Sequence, residues 1–195
     1  MSKSYTETYR NLFHGTTLES ALDIENSKNF ILSEDGWCGS GIYFYDNKTK
    51  AMWAAQRKCV EQSKKDFKKH CKACICAEIV ELNKSFIFDL RAQKDLINFQ
   101  NFADELLKGQ GFSIQELDDN EKIKMTRAML IAFYSDQNNI KLVVGNFRQT
   151  SDGSKRDLYA YAEKWNLVFG VETIYCVKDV SILKNIRRYS HEQIV

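Results

Sequence analysis

The chain has 195 residues, 44% apolar and 28% charged, with 28 basic against 26 acidic side chains and a formal net charge of +2. That length suits one domain that buries its own core without staples, and the near balance of charge neither requires nor forbids an anionic partner. No run approaches the roughly 18 apolar residues of a membrane span, and the opening MSKSYTETYR lacks the apolar stretch of a signal peptide. The expectation is a cytoplasmic protein with no membrane partner, whose six cysteines are thiols.

In chain order, YRNLFHG reads as a short strand. Thr16 followed by Glu19 fits a capping box that opens a helix running through Ile24. WCGSGIYFYD is a glycine-rich turn feeding a short aromatic strand, and Asp46 or Asn47 then caps a long helix reaching about Lys72. CICAEIVEL and SFIFDL read as consecutive strands. QKDLINFQNFADELL has helical spacing and is broken by Gly109 and Gly111. DDNEKIKMTRAMLIAFYSD is a further helix capped near Asp118. IKLVVGNF is a strand, TSDGSKRD a polar loop and DLYAYAEKW helical. VETIYCV and VSILKNI close the chain as strands. Helices and strands mix without a βαβ rhythm, so the expected class is α+β with a mainly antiparallel sheet. It forms a single domain over 1–195 with a helical insertion around 91–138.

Three stretches carry chemistry. FHGT ends the first strand with His14 and Gly15. GSGIYFYD places Tyr43 on a strand, ahead of a helix with small residues at 51, 54 and 55. GVETIYCVKDVSILKNI puts Glu172 at the start of an apolar strand, where a carboxylate needs a partner or a purpose. Each alone is weak, because a strand-end histidine or a strand tyrosine is commonly structural.

Together, in this order, they resemble the catalytic domain of the poly(ADP-ribose) polymerase branch of ADP-ribosyltransferases. The resemblance spans most of the chain and is dense at residues 11–55 and 172–187. It implies an ADP-ribosyltransferase-like fold, a split and mainly antiparallel sheet flanked by helices, and NAD as co-substrate with no metal. Cleavage of the nicotinamide–ribose bond passes through an oxocarbenium-like transition state, which a carboxylate stabilises. The resemblance casts His14, Tyr43 and Glu172 as catalytic. Gly15 would offer backbone groups to the nicotinamide amide, and its missing side chain would permit close approach. His14 would bond a hydroxyl of the adenosine ribose, and Tyr43 would stack on nicotinamide. The implied NAD-binding set is His14, Gly15, Thr16, Tyr43, Thr49 and Trp53. The last two enter because the family's serine and second tyrosine are replaced here by Ala51 and Ala54. Gly170 stands where arginine- and glutamine-modifying relatives carry Glu or Gln, which argues against those acceptors.

With no regulatory helical domain ahead of the core, the resemblance implies a mono-ADP-ribosyltransferase. Compact members of that kind serve as toxins in toxin–antitoxin or phage-defence systems, so an antitoxin protein is an expected partner. The acceptor is macromolecular. Lys64, Lys65, Lys68, Lys69 and Lys72 share one broad helical face at about 100° per residue. That face is either solvated or a contact for phosphates, and the second reading favours RNA or DNA over protein. Cys59, His70, Cys71, Cys74 and Cys76 crowd together, but without a second matched pair they read as buried thiols and not as a zinc site. The rival to a transferase is a non-catalytic module of the same fold that binds NAD, ADP-ribose or nucleic acid.

Overall fold

The structure, a computed structural model, describes residues 5–34, 36–109, 120–148 and 171–189. The expectations for the loop at 150–157, the helix at 157–165, Gly111, the cap near Asp118, Gly170 and His191 lie outside those residues.

Seven strands form one mixed sheet, so the class is α+β. They are β1 (Thr6–Thr17), β2 (Ile42–Tyr45), β3 (Lys72–Asn83), β4 (Ile87–Asp89), β5 (Leu142–Arg148), β6 (Val171–Val177) and β7 (Leu183–Arg188), in the spatial order β4-β5-β6-β2-β1-β3-β7. Every pairing is antiparallel except β4 with β5. The segments read as consecutive strands, CICAEIVEL and SFIFDL, become β3 and β4, which follow each other in the chain but lie at distant places in the sheet. Only Ile87–Asp89 of the second is extended, after a 3₁₀ turn at Lys84–Phe86. VSILKNI likewise begins with a 3₁₀ turn, Val180–Ile182, before β7.

The sheet buries both faces, as the apolar runs require. Directly paired residues share a face, so the registers sort the core into two layers. Leu12, Phe44, Ala77, Ile79, Val144, Tyr175 and Val177 pack on one face. Phe88, Val143, Phe147, Ile174 and Cys176 pack on the other with Cys38 and Ile131. Two helices, α3 (Gln93–Gly109) and α4 (Asn120–Gln137), cover part of the second face. There Tyr134 of α4 meets Phe88 at 4.7 Å between ring centres. Strand β1 carries a bulge between Tyr9 and Leu12, where Asn11 takes a left-handed conformation (φ 54°) suited to asparagine.

The first helix, α1 (Leu18–Ser27), starts one residue later than the capping-box reading has it. Thr17, not Thr16, is the cap, with its hydroxyl accepting from the backbone N–H of Ser20 at 3.2 Å. Thr16 is still in β1, paired with Ala73 and buried. Glu19 is drawn off to His70 and not back to the cap.

The long helix α2 (Lys48–Asp66) is capped by Asn47 and stops six residues short of Lys72. Phe67 turns left-handed (φ 56°) and its N–H closes on the Ser63 carbonyl. His70 then lies between Asp66 (2.7 Å) and Glu19 (2.8 Å), tying the exit of α2 to α1. The shared helical face of five lysines therefore does not exist. Lys64 and Lys65 are helical, Lys68 and Lys69 lie in the connection, and Lys72 opens β3. Of the crowded cysteines, Cys59, Cys74 and Cys76 are buried but Cys71 is exposed. Among the described residues no helix is long and apolar enough to cross a membrane.

Candidate active site

Strands β1 and β2 meet at one register pair, Phe13 with Tyr45, and then part. Beyond that pair β1 stays with β3 through Thr17, while β2 stays with β6. The imidazole of His14 spans the gap and its Nδ1–H donates to the carbonyl of Tyr43 at 2.9 Å. A cavity of about 170 Å³ occupies the opening. It is bounded by His14 and Gly15 on one side, Ile42, Tyr43 and Tyr45 on the other, Ala54 and Lys58 of α2, and the loop containing Ile31, Gly36 and Trp37. The volume lies below the roughly 300–1,000 Å³ of a drug-sized site, so the cavity takes a ring and the rest of a larger ligand must lie outside it.

Helix α2 lies against β1 because Gly15 has no side chain. A Cβ there would fall 1.7 Å from the carbonyl oxygen of Ala51 and 2.8 Å from the backbone nitrogen of Ala55. The close approach that the missing side chain of Gly15 permits in this structure is to α2, a packing reason that the sequence reading did not give. What Gly15 presents to the cavity is backbone. The same contact explains Ala51, which is fully buried where the resemblance looks for a serine.

Tyr43 is held at both ends. Its phenol donates to the carbonyl of Gly39 and accepts from the N–H of Cys38 at 3.0 Å. A Cβ on Gly36 would fall 1.9 Å from the tyrosine hydroxyl, so only a glycine lets that loop lie over the ring's outer end. The ammonium of Lys178 fastens the loop from the far side, donating to the carbonyls of Cys38 (2.7 Å) and Ser40 (2.6 Å). Burial, followed by the neighbouring Cys176 and Cys38 sulfurs, raises the phenol far above its ordinary pKa, so Tyr43 is a fixed neutral wall and no acid–base group.

His14 is 6% exposed. Burial first, then the cation of Lys58, lowers its pKa to about 3 against the opposing pull of the Tyr43 carbonyl. With Nδ1 donating, Nε2 faces Lys58 Nζ at 3.4 Å as an acceptor. The imidazole is therefore neutral, with its tautomer set by the backbone.

Glu172 opens β6 opposite Phe147 and shares the sheet face of Tyr43 and Tyr45, whose partners on β6 are Cys176 and Ile174. It is 6% exposed and forms an ion pair with Lys50 of α2. The pKa of the Tyr45 phenol is raised by burial and then by the Glu172 charge, with Arg57 opposing, which puts the carboxylate beside the Tyr45 end of the cleft.

Lys50, Ala54 and Lys58 follow each other at four-residue spacing, one line along α2. The first meets Glu172, the second lines the cavity and the third meets His14. The cavity lining thus holds the Lys58 ammonium, while the Glu172–Lys50 pair lies outside that lining, about 12 Å back along the helix axis. Sequence reading did not pick out Lys50, Lys58 or Tyr45. The four-residue spacing was the available signal, but a lysine on a helix ordinarily faces water.

The remaining nominated residues fall elsewhere. Thr16 is buried in β1 outside the cavity lining. Thr49 is exposed in the first turn of α2, its N–H bonded to Asn47 Oδ1 at 2.8 Å. Trp53 is 49% exposed with the Arg57 guanidinium 5.2 Å from its ring. Neither Thr49 nor Trp53 lines the cavity. Lys64, Lys69 and Lys72 line a separate groove of about 570 Å³ with Cys59, His70 and Cys71. Lys65 and Lys68 are exposed nearby without lining it.

No family model matches the chain, and no solved structure matches it. The chain is similar to an uncharacterized protein of Methanocaldococcus jannaschii, at 25% identity over a 204-residue alignment covering 94% of this chain and 89% of that protein.

Proposed function

We propose that this chain has an ADP-ribosyltransferase-like fold and is an NAD-dependent mono-ADP-ribosyltransferase acting on a macromolecule, nucleic acid ahead of protein. We further propose that it serves as a toxin of a toxin–antitoxin or phage-defence system. The observation that supports the enzymatic reading is the meeting of three separate elements at the split in the sheet, His14 and Gly15 from β1, Tyr43 from β2 and Ala54 and Lys58 of α2, with the buried carboxylate of Glu172 on β6 outside the cavity lining and joined to the same helix through Lys50.

In this reading the bond from ribose C1′ to the nicotinamide nitrogen breaks and nicotinamide leaves neutral with the electron pair. Glu172 stabilises the positive charge left on the ribose. The acceptor forms the new bond to C1′ and loses its proton to solvent. Lys50 orients the carboxylate. Lys64, the lysine that α2 gives to the second groove, lies about 21 Å along the helix from Lys50, so a nucleic acid touching both must span several nucleotides.

A second reading, a binding module of the same fold without turnover, draws on Ala51, sealed against Gly15, and on the lysine already paired with Glu172. Labelled NAD, a cell lysate and the Glu172→Gln variant separate the two. Transfer falling at least about 100-fold in the variant, the scale of removing one charge-stabilising group, supports the enzyme. Equal labelling by both proteins refutes the site. Protease, RNase and DNase treatment of the product reports the acceptor class.

A further inference from the structure

The Lys58 end of the cleft has chemistry of its own. Its ammonium sits 3.4 Å from a buried imidazole held neutral in the native fold. Among the described residues the cavity lining contains no carboxylate, and Lys58 is its one charged side chain. Among the described residues no carboxylate comes within 4 Å of it. Glu61, nearly one turn along α2, acts on it only from a distance. Lys58 as a residue is exposed, yet desolvation of its ammonium, opposed by the Glu61 charge, lowers its pKa. A cation drawn inward against a neutral acceptor, with no anion supplied by the described protein, has its charge available for a ligand. The neighbouring walls are flat and apolar: Ile31, Trp37, Tyr43, Tyr45 and Ala54. A ligand filling both parts carries a ring and, beside it, a compact anion.

We infer that Lys58, backed by His14, forms an anion subsite that receives a phosphate group of a dinucleotide. This rests on the proposed use of NAD and adds to it a specific charge contact. The phosphate is either in the diphosphate bridge or a 2′-phosphate on the adenosine ribose; both present the same tetrahedral oxyanion to the ammonium. Lys58→Met keeps the aliphatic stem and removes the charge, while Lys58→Arg restores it.

The test is calorimetric titration of the full chain and both variants with ADP-ribose, 2′-phospho-ADP-ribose and adenosine, with thermal unfolding to show that the variants fold. Lys58→Met is expected to weaken a phosphorylated ligand about tenfold or more, the scale of one charge-assisted hydrogen bond, with adenosine unchanged and Lys58→Arg recovering the loss. A loss shared by both phosphorylated ligands assigns the bridge; one confined to 2′-phospho-ADP-ribose assigns that phosphate. Unchanged affinity for both ligands, or an equal loss for adenosine, overturns the subsite while leaving the NAD reading standing. A wild-type protein that binds neither ligand overturns both. Lys58-dependent binding without Glu172-dependent transfer overturns only the enzymatic reading.

Discussion

The contact between Gly15 and α2 holds the site together, and Gly15→Ala tests it. The added Cβ would stand 1.7 Å from a backbone carbonyl, in a contact class where 3.0 Å is the practical floor. The helix must therefore recede by about 1.3 Å or β1 must bend by as much. Both atoms belong to backbone, so no rotamer change relieves the clash. The expected cost is at the upper end of the overpacking range, about 3 kcal/mol, or roughly 6–12 °C in Tm for a chain of this size. Gly109, with nothing within 4 Å of its Cβ position, is the control, and Gly109→Ala should stay within about 1 kcal/mol of the parent. Thermal unfolding followed by circular dichroism reads both. Because Lys50, Ala54 and Lys58 ride on the displaced helix, Gly15→Ala should also weaken binding of ADP-ribose. A Gly15→Ala protein melting within 2 °C of the parent (a shift of about 1 kcal/mol or less) would show that α2 does not depend on that close approach.

Two other substitutions test the local chemistry. His14 stays neutral down to about pH 3, whereas a free histidine takes its proton near 6.5. As pH falls through that window the unfolded chain gains a proton that the native one refuses. Stability attributable to His14 is therefore intact above pH 6.5 and lost toward pH 3, at up to about 1.4 kcal/mol per unit. Denaturant titrations of the wild type and His14→Gln should diverge in slope between pH 6.5 and 5, and parallel curves would contradict a buried neutral imidazole. Thr17→Ala should cost about 1 kcal/mol through loss of the α1 cap, with Thr16→Val costing less. The reverse order in urea unfolding would return the cap to Thr16.

Periodicity and turn chemistry made most elements legible, because apolar alternation and glycine-rich turns act locally. They failed where distant residues decide. Nothing between Asp66 and Lys72 marks a helix end: no glycine or proline occurs there, and lysines continue the helical pattern. The helix stops because Phe67 turns left-handed and His70 is claimed by Asp66 and by Glu19 of another helix. The same bond removes Glu19 from the capping box that its spacing suggested. At the site, His14, Gly15, Tyr43 and Glu172 could be nominated by motif. The reason for Gly15 could not, since the atoms it avoids lie 36 residues further along the chain. Lys50 and Lys58 look like any exposed helical lysines until the fold lays α2 over the cleft.

The single register pair between β1 and β2 has a mechanical consequence. On one side stand β2, β6, β5 and β4; on the other, β1, β3 and β7. Across the seam run Phe13–Tyr45, the His14–Tyr43 bond, α2 and an apolar layer in which Leu12 and Ile79 pack with Phe44 and Tyr175. A hydrogen bond contributes only about 1 kcal/mol net, so the half-sheets are held together at this seam mainly by that apolar layer and by α2 rather than by strand pairing. Amide exchange in the first residues of β2 should therefore run ahead of exchange in the long β1–β3 ladder.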